Sequence, residues 1–305
     1  MSAVQTVPKR ILVYLKHASR DKNPVLAKFT QCLVDYFDQS ELTTLVHGYL
    51  QDNCFVLTNE ISPHTMPLIL KHPSFCPIHC LSPNIDLPNE IIHRGIDVGV
   101  AVILESMDNK ILLTRRAKHL RTFPGIWVPP GGHVEGQETL TEAGLREFKE
   151  ETGLEVSPKQ CIGEKLNLMA FWESVYPAKL NHGDPKRHHL VTYLHGKLKE
   201  LNSEAASAQL QIEPNEVDAC AWLDRTVISA IVASDEEQSV QIENPLPDLP
   251  SYFRAHILSE EQKMVECSLP LAPLLRVASG TCDTGLERVS SGTKFALEQW
   301  LKLTK

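Results

Sequence analysis

This chain of 305 residues has no run of about 18 apolar residues, so no segment reads as a membrane-spanning helix. Its longest clean apolar stretch, Val98 to Leu104, is strand-sized. Met1 to Arg10 holds no apolar segment resembling a secretory signal. Positive charge is scarce, with 30 Lys and Arg against 38 Asp and Glu and a formal net charge of -8. That balance argues against a protein that coats nucleic acid through its phosphates, but it leaves open a pocket for a single phosphorylated ligand. No internal repeat is visible. The hydrophobic and charged fractions, 42% and 22%, are those of an ordinary globular chain and set wholesale disorder aside.

Cysteine is present but unpatterned, at 32, 54, 76, 80, 161, 220, 267 and 282. Without a signal segment these read as free thiols in a reducing compartment. Cys76 and Cys80 lie near His72 and His79, but no second Cys or His pair has matching spacing, so they read as thiols in a proline-rich loop rather than as zinc ligands.

Strands are expected at about 10–17 and 54–58, and an amphipathic helix over 24–39. Residues 62–88 are proline-rich and read as irregular. The texture changes near Gly95. Asp97 to Glu105 is a near-continuous apolar run, Asp108-Asn109 has turn chemistry, and Ile111 to Thr114 is the expected hairpin partner. A third strand is expected at Ile126 to Val128. A helix over 139–152 has good punctuation: Thr139 as its N-cap, Glu142 as the capping-box partner and Gly153 at C′. Further strands are expected at 163–175, 189–198 and 217–223, and a helix at 225–234. Pro245, Pro247 and Pro250 mark a linker, and a last helix is expected over 292–303.

The helix over 139–152 carries the chemistry. At about 100° per residue, Leu140, Ala143, Gly144, Leu145 and Phe148 form one apolar arc. Glu142 and Lys149 fall opposite it, where solvated charges belong. Glu151 falls inside the arc, and Glu147 and Glu150 flank its edge. Three carboxylates so placed would repel one another, and each would lose solvation as it approached the core. A bound divalent cation removes that conflict, and hard oxygen donors suit Mg²⁺ or Mn²⁺ together with substrate phosphates.

The spacing Gly132, five residues, Glu138, seven residues, then Arg146-Glu147-Phe148-Lys149-Glu150-Glu151-Thr152-Gly153-Leu154 resembles the full signature of the Nudix hydrolase family. Phe148 is the one loose position, where an aliphatic residue is more usual. The resemblance implies a Nudix α/β/α sandwich around a mixed sheet over residues 96–240. Residues 1–90 would be an N-terminal α/β extension, and 241–305 a linker with a C-terminal helical tail. It also implies hydrolysis of a nucleoside diphosphate linked to another moiety. Carried onto this chain, Glu147, Glu150 and Glu151 would hold Mg²⁺ or Mn²⁺, and Arg146 would orient loop and helix through an ion pair with Glu138; an ordinary i,i+4 pair with Glu142 is the alternative role for this arginine. Gly131 and Gly132 would let the loop turn tightly ahead of the helix.

Pyrophosphate cleavage also needs a general base. Glu150, Glu213 and Glu216 are candidates, with Glu216 favoured. Lys110, Arg115, Arg116, Lys118 and Arg121 form a basic stretch suited to phosphates. Leu112 to Gly132 resembles the segment that marks coenzyme A diphosphatases within the family, with Pro129 departing from it. The N-terminal extension, Trp172 to Pro177 and Ser290 to Leu297 are similar to a subgroup associated with hydrolysis of the methylated guanosine cap of RNA, releasing 7-methyl-GDP. A cap pocket needs aromatic faces, for which Trp127, Phe171, Trp172 and Tyr176 are candidates. The loop residues His182, Lys186, Arg187, His188 and His189 are further candidate contacts.

The expected partner is therefore a small nucleotide-type substrate or a capped RNA 5′ end, with no membrane. Many relatives dimerise, so a homodimer is compatible with the resemblance. Coenzyme A is the alternative substrate, and a non-catalytic nucleotide-binding module is the alternative of another class. Leu303-Thr304-Lys305 departs from the peroxisomal Ser-Lys-Leu ending, so a cytoplasmic location is expected.

Overall fold

The structure, a computed structural model, describes residues 10–39, 41–63, 65–82, 85–234, 249–259, 261, 263–276 and 286–304. Of the expected features, Met1 to Lys9, Cys282, Pro245 and Pro247 lie outside the described residues. In chain order the elements are β1 (Leu12–Lys16), β2 (Val25–Leu26), α1 (Leu33–Phe37), β3 (Thr43–Gln51), β4 (Cys54–Thr58), β5 (Leu68–Lys71), α2 (Asn89–Ile92), β6 (Asp97–Glu105), β7 (Ile111–Arg116), β8 (Ile126–Val128) and β9 (Gly131–His133). There follow α3 (Leu140–Thr152), β10 (Asn167–Tyr176), β11 (Arg187–Lys197), α4 (Ser203–Ser207), β12 (Val217–Leu223), α5 (Arg225–Ala233), β13 (Tyr252–Leu258), β14 (Met264–Pro270), β15 (Arg288–Val289) and α6 (Ser291–Leu303). By contact the chain forms two compact units, one from residues 1–100, 132–143 and 170–192, the other from 101–131, 144–169 and 193–305. The boundaries fall inside β6, β9, α3, β10 and β11, so neither unit is a continuous block of chain.

In the first unit, β1 runs parallel to β4 and antiparallel to β2, β3 runs antiparallel to both β4 and β5, and β5 is parallel to β10. Its core includes Val13, Leu15, Phe29, Leu33, Phe55, Leu57, Leu70 and Phe171. The helix expected over 24–39 is not there. Val25 and Leu26 pair with Leu15 and Tyr14, and Ala27 and Phe29 are buried while Lys28 and Thr30 are exposed, a period of two. Strand pairing has overridden a weak helical pattern, and only the five residues of α1 remain helical. β3 was not anticipated because Gly48 interrupts its alternation. A Cβ there would lie 2.5 Å from the Phe171 ring and 2.8 Å from that of Phe55, so the glycine makes room for two aromatic rings. β5 fits between Pro67 and Pro73, inside the stretch read as irregular.

In the second unit, β14, β13, β12, β7 and β8 pair antiparallel in sequence across the sheet, and β15 adds in parallel to β8. The α/β class and the mixed sheet therefore agree with expectation. The tail differs: before α6 it carries the hairpin of β13 and β14 and the short strand β15, where only linker and helix were expected. That hairpin extends the sheet through Ala219↔Ile257 and Cys220↔His256. α5 buries Val227, Ile228 and Ile231, and α6 buries Phe295, Leu297 and Trp300. Each such large apolar side chain contributes roughly 1.5–3 kcal/mol on burial.

Candidate active site

α3 begins and ends where its local signals place it. Thr139 N donates to the Glu142 carboxylate at 2.8 Å, and Glu142 N donates back to Thr139 Oγ1 at 3.2 Å, closing a capping box. At the other end Gly153 has φ +69° and its N–H reaches Lys149 O at 2.8 Å. A Cβ at Gly153 would lie 2.7 Å from Gln211 Cβ and 2.8 Å from Gln211 O, so the chain passes too closely for any other residue. Between these ends the helix presents its three glutamates at different depths.

Glu151 is buried, at 5% exposure, as its place inside the apolar arc requires. Burial pushes its carboxyl up to about 8, against the opposing effects of the Arg116 charge, the Gly131 N–H and the Thr114 hydroxyl. Thr114 Oγ1 is 3.2 Å from Glu151 Oε2. Glu147 is half-buried, and burial raises its carboxyl in spite of Arg146; the charges of Glu150 and Glu216 add to the rise. Glu150 is the exposed member of the three. Arg146 Nη1 reaches Glu147 Oε1 at 2.9 Å and Glu150 Oε2 at 3.2 Å. The i,i+4 partner of Arg146 is thus Glu150, while the Glu142 carboxylate is committed to the helix start.

The three carboxylates are held on one helix but not gathered into one coordination shell. Among the described residues, two groups bring three or more donor atoms within 4.8 Å of one another, and neither contains Glu147, Glu150 or Glu151. Their side chains are drawn to separate partners: Glu147 and Glu150 to Arg146, and Glu151 to Thr114 and Gly131. The donor set still fits a hard divalent cation. It is all carboxylate oxygen, and Glu151 ionised in its buried position carries a desolvation cost that a nearby cation offsets.

Around the helix, Glu216 is exposed on the turn before β12, and its charge acts on Glu147, Glu151 and Arg116. Glu213 is engaged locally, its Oε1 accepting from Asn215 N at 3.1 Å and Asn215 Nδ2 at 2.8 Å. Arg116 donates to Thr122 O at 3.1 and 3.3 Å, which fixes its guanidinium beside the Glu151 and Glu216 charges. Burial lowers its pKa, and those two charges oppose the fall. Gly131 contributes its N–H to Glu151, Gly132 lies beside it in β9, and Arg121 is exposed on the loop after β7.

Several expected contacts prove to be structural. Trp127 is 0% exposed: its Nε1 donates to Glu287 Oε1 at 2.9 Å and its ring meets Phe253 edge-on at 5.7 Å. It offers no face to a base, because packing on β8 has consumed both. Phe171 and Trp172 are likewise buried side chains of β10. Arg115 pairs with Asp218 at 2.5 Å and Glu287 at 3.0 Å, and Lys110 with Asp108 at 3.4 Å, so neither faces the glutamates as a free cation. His188 is in β11 rather than a loop, and its Nε2 meets the buried Glu173 carboxylate at 2.9 Å. Thr114 is the residue whose role went unread; its one signal is a polar side chain closing the apolar run Ile111 to Leu113.

Comparison with known proteins bears on the family. Residues 95–241 match the NUDIX domain. The chain is 43% identical to the m7GpppN-mRNA hydrolase NUDT17 of Danio rerio, over 96% of each chain. It is 40% identical to the Xenopus laevis protein of that name, over 96% of this chain and 95% of the other. For the Homo sapiens protein the identity is 41%, over 84% of this chain and 77% of the other. A family domain spanning α3 and relatives matching nearly end to end lead to one conclusion: the chain belongs to the Nudix hydrolase family.

Proposed function

We propose that this protein is a divalent-metal-dependent pyrophosphohydrolase that cleaves the m7GpppN cap of RNA, releasing 7-methyl-GDP. The observation that carries the hydrolase reading is Glu151, a carboxylate buried on the family's signature helix with Glu147 and Glu150 on the adjoining face. The substrate follows from likeness, over 96% of the chain, to a relative named for that activity. Mg²⁺ or Mn²⁺, held by Glu147, Glu150 and Glu151, would supply charge neutralisation on the phosphates.

This chain's own residues do the rest. Arg146 holds Glu147 and Glu150 on one side of α3, and Thr114 and the Gly131 N–H orient Glu151. Arg116, fixed by Thr122 O, places a positive charge beside them for a substrate phosphate. Glu216, exposed and without the local engagement of Glu213, takes the proton of the attacking water. The water oxygen forms a new P–O bond, one anhydride P–O bond breaks, and its electron pair leaves with the departing phosphate. The products are 7-methyl-GDP and a 5′-monophosphorylated RNA. Coenzyme A is less favoured because the resemblance to its hydrolases is confined to Leu112 to Gly132, whereas the likeness to a relative named for cap hydrolysis runs over 96% of the chain. We place the reaction in the cytoplasm. The free cysteines of the described residues support a reducing compartment, and no helix among those residues is long and apolar enough to cross a membrane.

The test offers capped RNA, coenzyme A and ADP-ribose side by side to the purified protein with Mg²⁺ or Mn²⁺. Release of 7-methyl-GDP as the fastest reaction, abolished by chelation, is the expected result. Faster turnover of coenzyme A would overturn the substrate, and turnover that survives chelation would overturn the metal dependence.

A further inference from the structure

A second group of ligating side chains lies in the first unit and belongs to none of the chemistry above. Cys32, Asp35, His72 and His79 each bring one donor atom, and the four atoms lie within 4.8 Å of one another. Two come from the start of α1 and two from the proline-rich loop after β5, segments about forty residues apart in the chain. His72 is 0% exposed. Its Nδ1 is 2.9 Å from Pro73 O, a contact that requires Nδ1 to carry the proton. Nε2 is then a bare lone pair, and it is buried without a hydrogen-bond partner. A buried acceptor left without a partner has lost its water and gained nothing in return. This is also the tautomer of a metal-bound imidazole, with the far nitrogen tied to a carbonyl and the near one free to ligate.

The other three donors converge on the same place. His79 Nδ1 lies 2.9 and 3.0 Å from the two Asp35 oxygens, and its ring stands 4.9 Å from that of His72. The Cys32 thiol is buried and 3.3 Å from Glu173 Oε2. Glu173 in turn accepts from Leu33 N at 2.9 Å and meets His188 Nε2 at 2.9 Å, so the base of the group is held rigidly.

We infer that Cys32, Asp35, His72 and His79 form a structural zinc site that clips α1 to the loop after β5. One thiolate, one carboxylate and two neutral imidazoles around a dication give a neutral assembly, which suits a half-buried place. Tetrahedral zinc at about 2.0–2.3 Å from its ligands sets the donors about 3.3–3.8 Å apart, so the group needs to contract by only about 1 Å. A mixed nitrogen, sulfur and oxygen set of four is a closed shell, with no position left for water or substrate. Binding forms four metal–ligand bonds and releases one proton, that of the Cys32 thiol, to solvent.

The test is metal content of the full chain, purified without chelator in excess Mg²⁺. One zinc per chain is expected, retained in Glu151→Gln and in Cys76→Ser, and lost in Cys32→Ser and His72→Asn. Cobalt-loaded wild type should show tetrahedral absorption bands with one thiolate charge-transfer band, which Cys32→Ser removes. Should the buried variants fail to fold, the paired exposed-side variant Asp35→Asn with His79→Gln should weaken zinc binding by roughly 100-fold or more. The inference is overturned if wild type holds no zinc and takes up none from a zinc titration. It is also overturned if Glu151→Gln loses the ion, which would place it on α3, or if the folded ligand variants bind as wild type does.

Discussion

Glu151 stands where two requirements meet, burial in the apolar arc of α3 and a charge for catalysis. With its carboxyl pushed up to about 8, the metal-free protein at neutral pH carries it largely protonated, and glutamine is nearly isosteric with that form. Glu151→Gln should therefore keep the melting temperature of the metal-free wild type while cap hydrolysis falls by two orders of magnitude or more, about 3 kcal/mol of transition-state stabilisation. Wild-type turnover in the variant would remove Glu151 from the metal site. Trp127 makes the opposite case. If its indole is only a core side chain bonded to Glu287, Trp127→Phe should cost about 1–2 kcal/mol in urea unfolding and leave KM for capped RNA unchanged. A KM raised tenfold with unchanged stability would mean that the ring does meet the base.

At the scale of the element, α3 was legible because everything that defines it is local. The capping box, the apolar arc, the displaced glutamates and the closing glycine all lie within fifteen consecutive residues. Gly153→Ala should destabilise the protein by at least about 2 kcal/mol, since it combines a left-handed backbone with a collision against the Gln211 carbonyl. The same substitution should lower kcat, because Gln211 N bonds Thr152 O at 2.7 Å and Glu213 N bonds Glu151 O at 3.2 Å, tying the catalytic turn to the helix end. An alanine variant of full stability would show that the turn yields freely. The stretch over 24–39 was illegible for the converse reason. Its apolar residues satisfy a helical period loosely, and the pairing of β2 with β1 decides the outcome. Gly48 likewise makes sense only once Phe55 and Phe171 are seen on either side of it.

For the molecule as a whole, Glu105 at the end of β6 anchors the second unit. It is 1% exposed and meets His195 Nε2 at 3.0 Å, Lys197 Nζ at 2.8 Å and Trp300 Nε1 of α6 at 2.9 Å. Burial alone would raise its pKa, but these hydrogen bonds and the Lys197 charge outweigh it and hold the carboxyl at about 2. A folded pKa below the unfolded one means that the unfolded chain binds the proton first. This contribution, on the order of 3 kcal/mol, is therefore complete above about pH 4.5 and is lost as pH falls toward 2. Urea unfolding of wild type should weaken across that window, and Glu105→Gln should flatten the dependence there. Equal slopes in the two proteins would mean that the anchor is electrostatically idle.

Local sequence was enough to place the family, the glutamate-bearing helix and the sign of its problem: three glutamates whose 3.6-residue spacing drives one of them into the core. Those are short-range facts, readable wherever caps, period and motif fall within one element. Folding in three dimensions shows which basic residues are already paired, that Trp127 is core, and that Glu213 is engaged by Asn215 while Glu216 is left exposed. It alone also supplied partners for His72 and His79. The missing ligand pair sits at Cys32 and Asp35, forty residues upstream, and no local spacing could announce it because chain folding brings those segments together.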